Sequence, residues 1–233
     1  MDLEHLGRNI LKLAETHSAS LYIVGALLLG IFIGFRWASG AGFGYRRSFQ
    51  NSGEELLSRE IQENFPPPDY HLMNHVTVRI GDGTTQIDHI LISKAGVFVI
   101  ETKDFSGWIF ASRDHEYWTQ VLFHKKSRFQ NPIHQNARHV RAVRELLDFL
   151  PPETVQSAVV FTGDADFKTE MPNGVFTIEE FLEHVHQQTT EVMTANRMQF
   201  CVGRLETNRL SITHETDVEH VENLQRRYPR KSE

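Results

Sequence analysis

The chain has 233 residues and a single cysteine, Cys201. No disulfide can form within it, and no cysteine-based zinc site can be assembled. That fits a domain facing a reducing compartment. An excess of positive charge is also missing: the formal net charge is -6. A protein that coats duplex DNA by bulk charge is usually basic overall, so any nucleic-acid contact must rest on a local patch. The 13 histidines show no HExxH or similar ligand spacing, and most are expected at the surface. No internal repeat and no glycine-rich phosphate loop is present. What the chain does have is 40% apolar residues, enough for a packed core.

Charge is locally absent from Ala19 to Phe35, 17 residues reading ASLYIVGALLLGIFIGF. A span of the hydrocarbon core takes about 20 residues, with roughly 17 as the lower limit, and Ser18 and Trp37 can extend this run. A buried helix of a soluble core would rarely be apolar on every face. A cleaved signal peptide is disfavoured by the 18 residues ahead of the run, which include Asp2, Glu4 and Glu15 where a basic leader is expected. The run therefore predicts a retained single-pass membrane helix over residues 19–37, behind an N-terminal flank of residues 1–18. Arg36, Arg46 and Arg47 follow it, while Arg8 and Lys12 precede it. The positive-inside rule then places the remainder of the chain in the cytoplasm. Gly30 and Gly34 form a GxxxG, through which two such helices could pair as a homodimer.

Residues 38–52 are rich in Gly, Ser and Ala and read as a linker. Leu56, Leu57, Ile61 and Phe65 recur at helical spacing, and Pro66-Pro67-Pro68 ends that helix. Strands are expected over His71–Ile80, Gln86–Ser93 and Val97–Lys103, with turns at Gly81-Asp82-Gly83 and Lys94-Ala95-Gly96. Gly107–Phe110 and Tyr117–Phe123 continue the meander. A helix is expected over His134–Leu150, then strands at Val155–Thr162 and Val175-Phe176, and a helix over Ile178–His186. Met198–Gly203 is a last small element, and Asp217–Tyr228 looks helical and polar. This order predicts an α/β layered domain. Phe98 and Phe161 are assigned to the core, Trp108 and Trp118 to closing the core rather than stacking on bases, and His89 to strand packing rather than a role near the site.

Residues two apart on a strand share a face, so Glu101 and Lys103 project together. Antiparallel pairing around the Lys94–Gly96 turn would bring Asp88 near one or the other. Two carboxylates and an amine are the parts phosphodiester hydrolysis needs. Carboxylates suit Mg²⁺, which activates water, and a lysine can orient that water or stabilise the phosphoryl transition state. The bare spacing also describes many solvated strand faces. Its context is more pointed, because a charged pair closing the apolar run VFVI predicts a strand buried on both faces that ends in a cleft.

Three stretches in order, GEELL, QIDHILISKAGVFVIETKDFSGWI and NPIHQNARHVRAV, resemble the nuclease-related domain (NERD) family. That family is similar in turn to the PD-(D/E)xK restriction-endonuclease fold. The resemblance covers residues 53 to about 162, and more loosely to about 186. It implies a mixed central sheet flanked by helices in residues 53–186, followed by a C-terminal extension, 187–233. It implies that Asp88 and Glu101 bind Mg²⁺ (or Mn²⁺) and that Lys103 is the catalytic lysine. Glu54 matches the family's early helix acid, an auxiliary metal or water-positioning group, and the adjacent Glu55 competes for that place. Gln135 matches a glutamine near the site, although a polar residue at a helix N-terminus would read the same way.

Between His124 and Arg144 no acid occurs, while Lys125, Lys126, Arg128, Arg138, Arg141 and Arg144 do. This run is expected to track phosphates. The sequence thus predicts a membrane-anchored, Mg²⁺-dependent nuclease acting on nucleic acid, with DNA the first candidate. The alternative is a non-catalytic membrane-linked module that binds nucleic acid or protein.

Overall fold

A computed structural model describes residues 51–211 and Thr216. Backbone contacts divide the chain into two units, residues 1–48 and 49–233, and the described residues belong to the second. The expected membrane helix over 19–37, the Gly30/Gly34 pair and the polar helix over 217–228 lie outside the described residues. Among the described residues no helix is long and apolar enough to cross a membrane.

The first helix, α1 (Ser52–Asn64), starts where the Asn51 side chain accepts from the Glu54 amide. Such a cap satisfies one of the amides a helix start leaves unpaired. Three strands follow as an antiparallel meander: β1 (Tyr70–Ile80), β2 (Gly83–Ser93) and β3 (Gly96–Lys103). The chain then builds β4 (Gly107–Phe110), β5 (Tyr117–Leu122) and β6 (Lys125–Gln130), and crosses back through α2 (Pro132–Leu146). Strand β7 (Val155–Phe161) pairs parallel with β3, with Val97 opposite Val155 and Lys103 opposite Phe161. The short strands β8 (Ala165–Phe167) and β9 (Val175–Thr177), then α3 (Ile178–Gln187) and α4 (Ala195–Asn208), complete the unit.

Two mixed sheets result. One has five strands in the order β1-β2-β3-β7-β9, and the other has four in the order β6-β5-β4-β8. The apolar side chains of α1 and α3 pack on one face of the larger sheet, around Leu57, Phe98, Ile100 and Phe181. Those of α2 and α4 join a second cluster around Val97, Val99, Val140 and Cys201. Covered on both faces, β3 is buried at every position except Lys103, which is half-buried at its end. The smaller sheet packs Ile109 and Trp118 against Val159 and Phe161.

Helix α2 is pinned from its middle. Asn136 is fully buried, and its Nδ2 donates to Val99 O, Ala158 O and Ser157 Oγ on the two central parallel strands. Ahead of it, Asn131 caps the helix and Pro132 occupies the first turn, where no amide hydrogen bond is needed.

Several boundaries differ from those expected. Helix α2 begins two residues earlier and ends at Leu146, because Leu147 leaves helical geometry ahead of Pro151-Pro152. The basic stretch Lys125–Gln130 is a strand, since Phe129 alternates inward toward Trp118. The last small element is a full helix, and Met198, Cys201 and Leu205 bind it into the core shared with α2. His139 is buried rather than superficial, while His89, Trp118, Phe98 and Phe161 are core as expected. Trp108 is the exception among the four aromatics assigned to the core: it is 52% exposed, because its strand turns that face to solvent.

Candidate active site

Glu101 and Lys103 share the face of β3 that points toward α2. Their side chains meet, with Lys103 Nζ donating to Glu101 Oε1 at 2.5 Å. Strand β2 pairs with β3 as far as His89 opposite Ile100. One residue further on, the Asp88 side chain takes over from the backbone ladder, as its Oδ2 accepts from the Thr102 amide at 2.7 Å. Asp88 is thereby tied to the residue between Glu101 and Lys103, and it feels the charge of both. The same point is irregular on the other side, where His75 has φ +52° and drops out of the β1–β2 register. Both neighbours of Asp88 therefore lose regular pairing where the carboxylate is needed.

Glu54 reaches the site from the first turn of α1. Gly53 makes that approach feasible, since a Cβ there would lie 2.3 Å from Thr162 Oγ1 and 2.6 Å from Asp104 Cβ. Asn51 holds Glu54 by two bonds, its Nδ2 donating to Glu54 Oε1 and its Oδ1 accepting from the Glu54 amide. Glu54 is half-buried and feels the charges of Glu101 and Lys103, whereas Glu55 is exposed. From α2, Gln135 accepts from Lys103 Nζ at 3.2 Å. It is not the cap of that helix, a place Asn131 fills.

Sequence reasoning passed over two residues here. His139, one helical turn beyond Gln135, puts Nε2 3.1 Å from Glu101 Oε2. An ionised carboxylate only accepts, so Nε2 carries the proton and donates. The other ring nitrogen, Nδ1, lies 2.8 Å from the Thr85 hydroxyl, within hydrogen-bond distance. The i, i+4 spacing of Gln135 and His139 on a helix whose residues line the site was the available signal.

The electrostatics follow from burial. Burial, then the charges of Glu101 and Glu54, push the Asp88 carboxyl well above its usual range, against the pull of the Thr102 amide and Lys103. Glu54 is pushed up to about 7, first by burial and then by Glu101. Burial also works against ionised Glu101, but Lys103 and His139 outweigh it and hold Glu101 below the usual range. Three carboxyl groups therefore crowd one lysine, and a bound cation would favour their ionised forms. Among the described residues no group of three or more His, Cys, Asp or Glu has metal-holding geometry. The two carboxylates Asp88 and Glu101 do match what Mg²⁺ takes from a protein, with water and phosphate completing its shell. The donor set fits a hard cation.

The expected basic run divides in space. Lys125, Lys126 and Arg128 stand on β6, and Arg138 and Arg141 on α2. Arg138 is half-buried and donates to Thr84 O, and Arg144 donates to Val155 O, so both tie α2 to the sheet. Arg141 is exposed, with Glu145 one turn on.

Residues 50–162 match the family model described as Nuclease-related domain, NERD. An uncharacterized protein of Bacillus anthracis is 48% identical over 99 residues, which is 42% of this chain and 46% of that protein. The chain thus spans about half the length of the curated relative it matches. No solved structure matches. The segment that carries Glu54, Asp88, Glu101, Lys103 and Gln135 is therefore similar to nuclease-related domains, as the order of its motifs implied.

Proposed function

We propose that this domain is a metal-dependent nuclease of restriction-endonuclease-like fold that hydrolyses phosphodiester bonds, with DNA the first substrate to test. The observation that carries the reading is the seat of Asp88, whose side chain replaces a ladder partner at Thr102 beside the Glu101–Lys103 pair. Asp88 and Glu101 would hold Mg²⁺ or Mn²⁺. That ion, when bound, lowers the pKa of its water and offsets charge on the phosphoryl oxygens. Lys103, held by Glu101 and Gln135, aims an ammonium at the attacking water or at a non-bridging oxygen. Glu54, near 7, can exchange a proton with water at neutral pH. Lys125, Lys126, Arg128, Arg138 and Arg141 are the candidates for phosphate contacts, with Arg138 already engaged on Thr84.

The apolar segment 19–37 would anchor the domain to a membrane with its site in the cytoplasm, and Gly30 and Gly34 would pair two such helices. Comparing detergent-solubilised oligomer size with that of the Gly30→Leu variant tests the pairing.

The purified chain should nick supercoiled plasmid in Mg²⁺ and stop in EDTA, while Glu101→Ala and Lys103→Ala lose at least about 100-fold. Equal cutting by wild type and Glu101→Ala sinks the proposal. A non-catalytic module is the second reading. Each Glu101 oxygen already has a protein partner, which a structural ion pair would also produce. Nucleic-acid binding that survives Asp88→Ala, with no cleavage by wild type, favours that second reading.

A further inference from the structure

The smaller sheet has one face in the core and one in solvent. Ile109, Trp118, Phe129 and Phe167 point inward. The period of two puts Trp108 and Phe110 of β4 outward, and the register sets them opposite Val121 and Thr119 of β5. Thr119 and Val121 in turn face Arg128 and Lys126 of β6. The outer face therefore carries Trp108, Phe110, Tyr117, Lys126, Arg128 and Lys168. The rings are 52%, 40% and 44% exposed in that order. Each of two rings has a cation over it: Arg128 lies 4.9 Å from the Tyr117 centroid, and Lys168 lies 5.1 Å from that of Trp108. The one acid of this face in the same strands is Asp166, which pairs with Lys168.

We propose that this face is a stacking platform for unpaired nucleic-acid bases, and that it gives the site a preference for single-stranded substrate. The proposal rests on the nuclease reading for its purpose, though not for its chemistry. Single-strand binders combine aromatic rings, on which bases stack, with cations that follow the backbone. A nucleotide offers a partner to each group, its base to the ring and its phosphate to the cation now lying over that ring. Duplex bases are already stacked on each other and expose only edges and phosphates, which leaves the ring faces unused. Aromatic rings and arginine also occur where proteins bury their contacts, but lysine is depleted there, and Lys126 and Lys168 on this face favour a polyanion over a protein partner. Lys103 precedes Trp108 by five residues, so platform and site lie within about 17 Å of extended chain.

The test measures binding of the full chain in EDTA, where cleavage plays no part. The probes are a fluorescein-labelled oligothymidylate of about 20 nucleotides, an abasic strand of equal length and charge, and a duplex of equal length. Oligothymidylate should bind at least about ten-fold tighter than either control. Trp108→Ala and Tyr117→Ala should each lose about ten-fold on oligothymidylate and nothing on the abasic strand. Trp108→Phe should retain most of the affinity while removing the quenching of exposed tryptophan fluorescence. Equal affinity for the abasic strand, preference for duplex, or an unaffected Trp108→Ala overturns the platform. So does a change of assembly size in Trp108→Ala with oligothymidylate affinity intact, which would make the face a contact between copies. Absence of cleavage with base-dependent binding intact sinks the nuclease reading alone, and the reverse result sinks the platform alone.

Discussion

Glu54 shows how one side chain couples the site to stability. Its carboxyl, raised from 4.5 to about 7 mainly by burial, resists losing its proton in the folded state. Below pH 4.5 both states hold that proton and the full stability is present. Between 4.5 and 7 the unfolded chain ionises first, so stability falls as pH rises. Glu54 is partly exposed, and screening limits the effect to about 1–2 kcal/mol. Urea midpoints measured across that range, without divalent metal, should fall in wild type relative to Glu54→Gln. A constant difference between the two would show that Glu54 ionises freely. His139 is the second residue whose role is local. It holds one oxygen of Glu101 and is itself held by Thr85. His139→Ala should weaken Mg²⁺ binding by about 10–100-fold in calorimetry, and His139→Gln, which can still donate, should recover part of it. Phe123 stands apart: it is 90% exposed at a hairpin tip with φ +55°. A bulky side chain is strained there, and Phe123→Gly should raise the thermal midpoint, with a gain of up to about 1 kcal/mol.

At the scale of elements, α2 sets the height of Gln135 and His139 over β3, and Asn136 sets α2. Removing its amide takes one donor from each of three buried acceptors, Val99 O, Ala158 O and Ser157 Oγ. Asn136→Ala should cost about 2–3 kcal/mol in denaturant unfolding, more than an exposed change such as Ala137→Ser on the same helix. Most of these elements were legible from periodicity. The apolar alternation and glycine turns marked β1 to β3, and the three prolines closed α1. Strand β6 was not legible, because five of its six residues are polar or charged, four of them exposed, and only Phe129 signals the alternation. The exposed ring of Trp108 was missed for the related reason that a tryptophan in an alternating strand gives no sign of which face is wet.

At the scale of the molecule, the described unit extends past the segment similar to nuclease-related domains. Helix α4 adds Met198, Cys201 and Leu205 to the cluster that α2 and β1 to β3 share. Leu205→Ala should therefore lower the stability of the whole unit by about 2–5 kcal/mol in a single transition. A separate early transition, with the remainder unaffected, would make α4 an independent appendage.

The sequence by itself determined the chemistry on offer: Asp88, Glu101 and Lys103 on strands that must be buried, an early helix acid, a glutamine after a helix-opening proline, and an uncharged stretch of membrane length. Those are local properties, fixed by periodicity, charge and turn residues. Only the tertiary structure decided which groups meet. It chose Glu54 over Glu55, seated Asp88 on the Thr102 amide, brought in His139 and Thr85, and split one basic run between a sheet face and a helix. The physical reason is that strand register, a break in pairing and the docking of α2 are set by contacts between residues far apart in the chain. No local spacing encodes them.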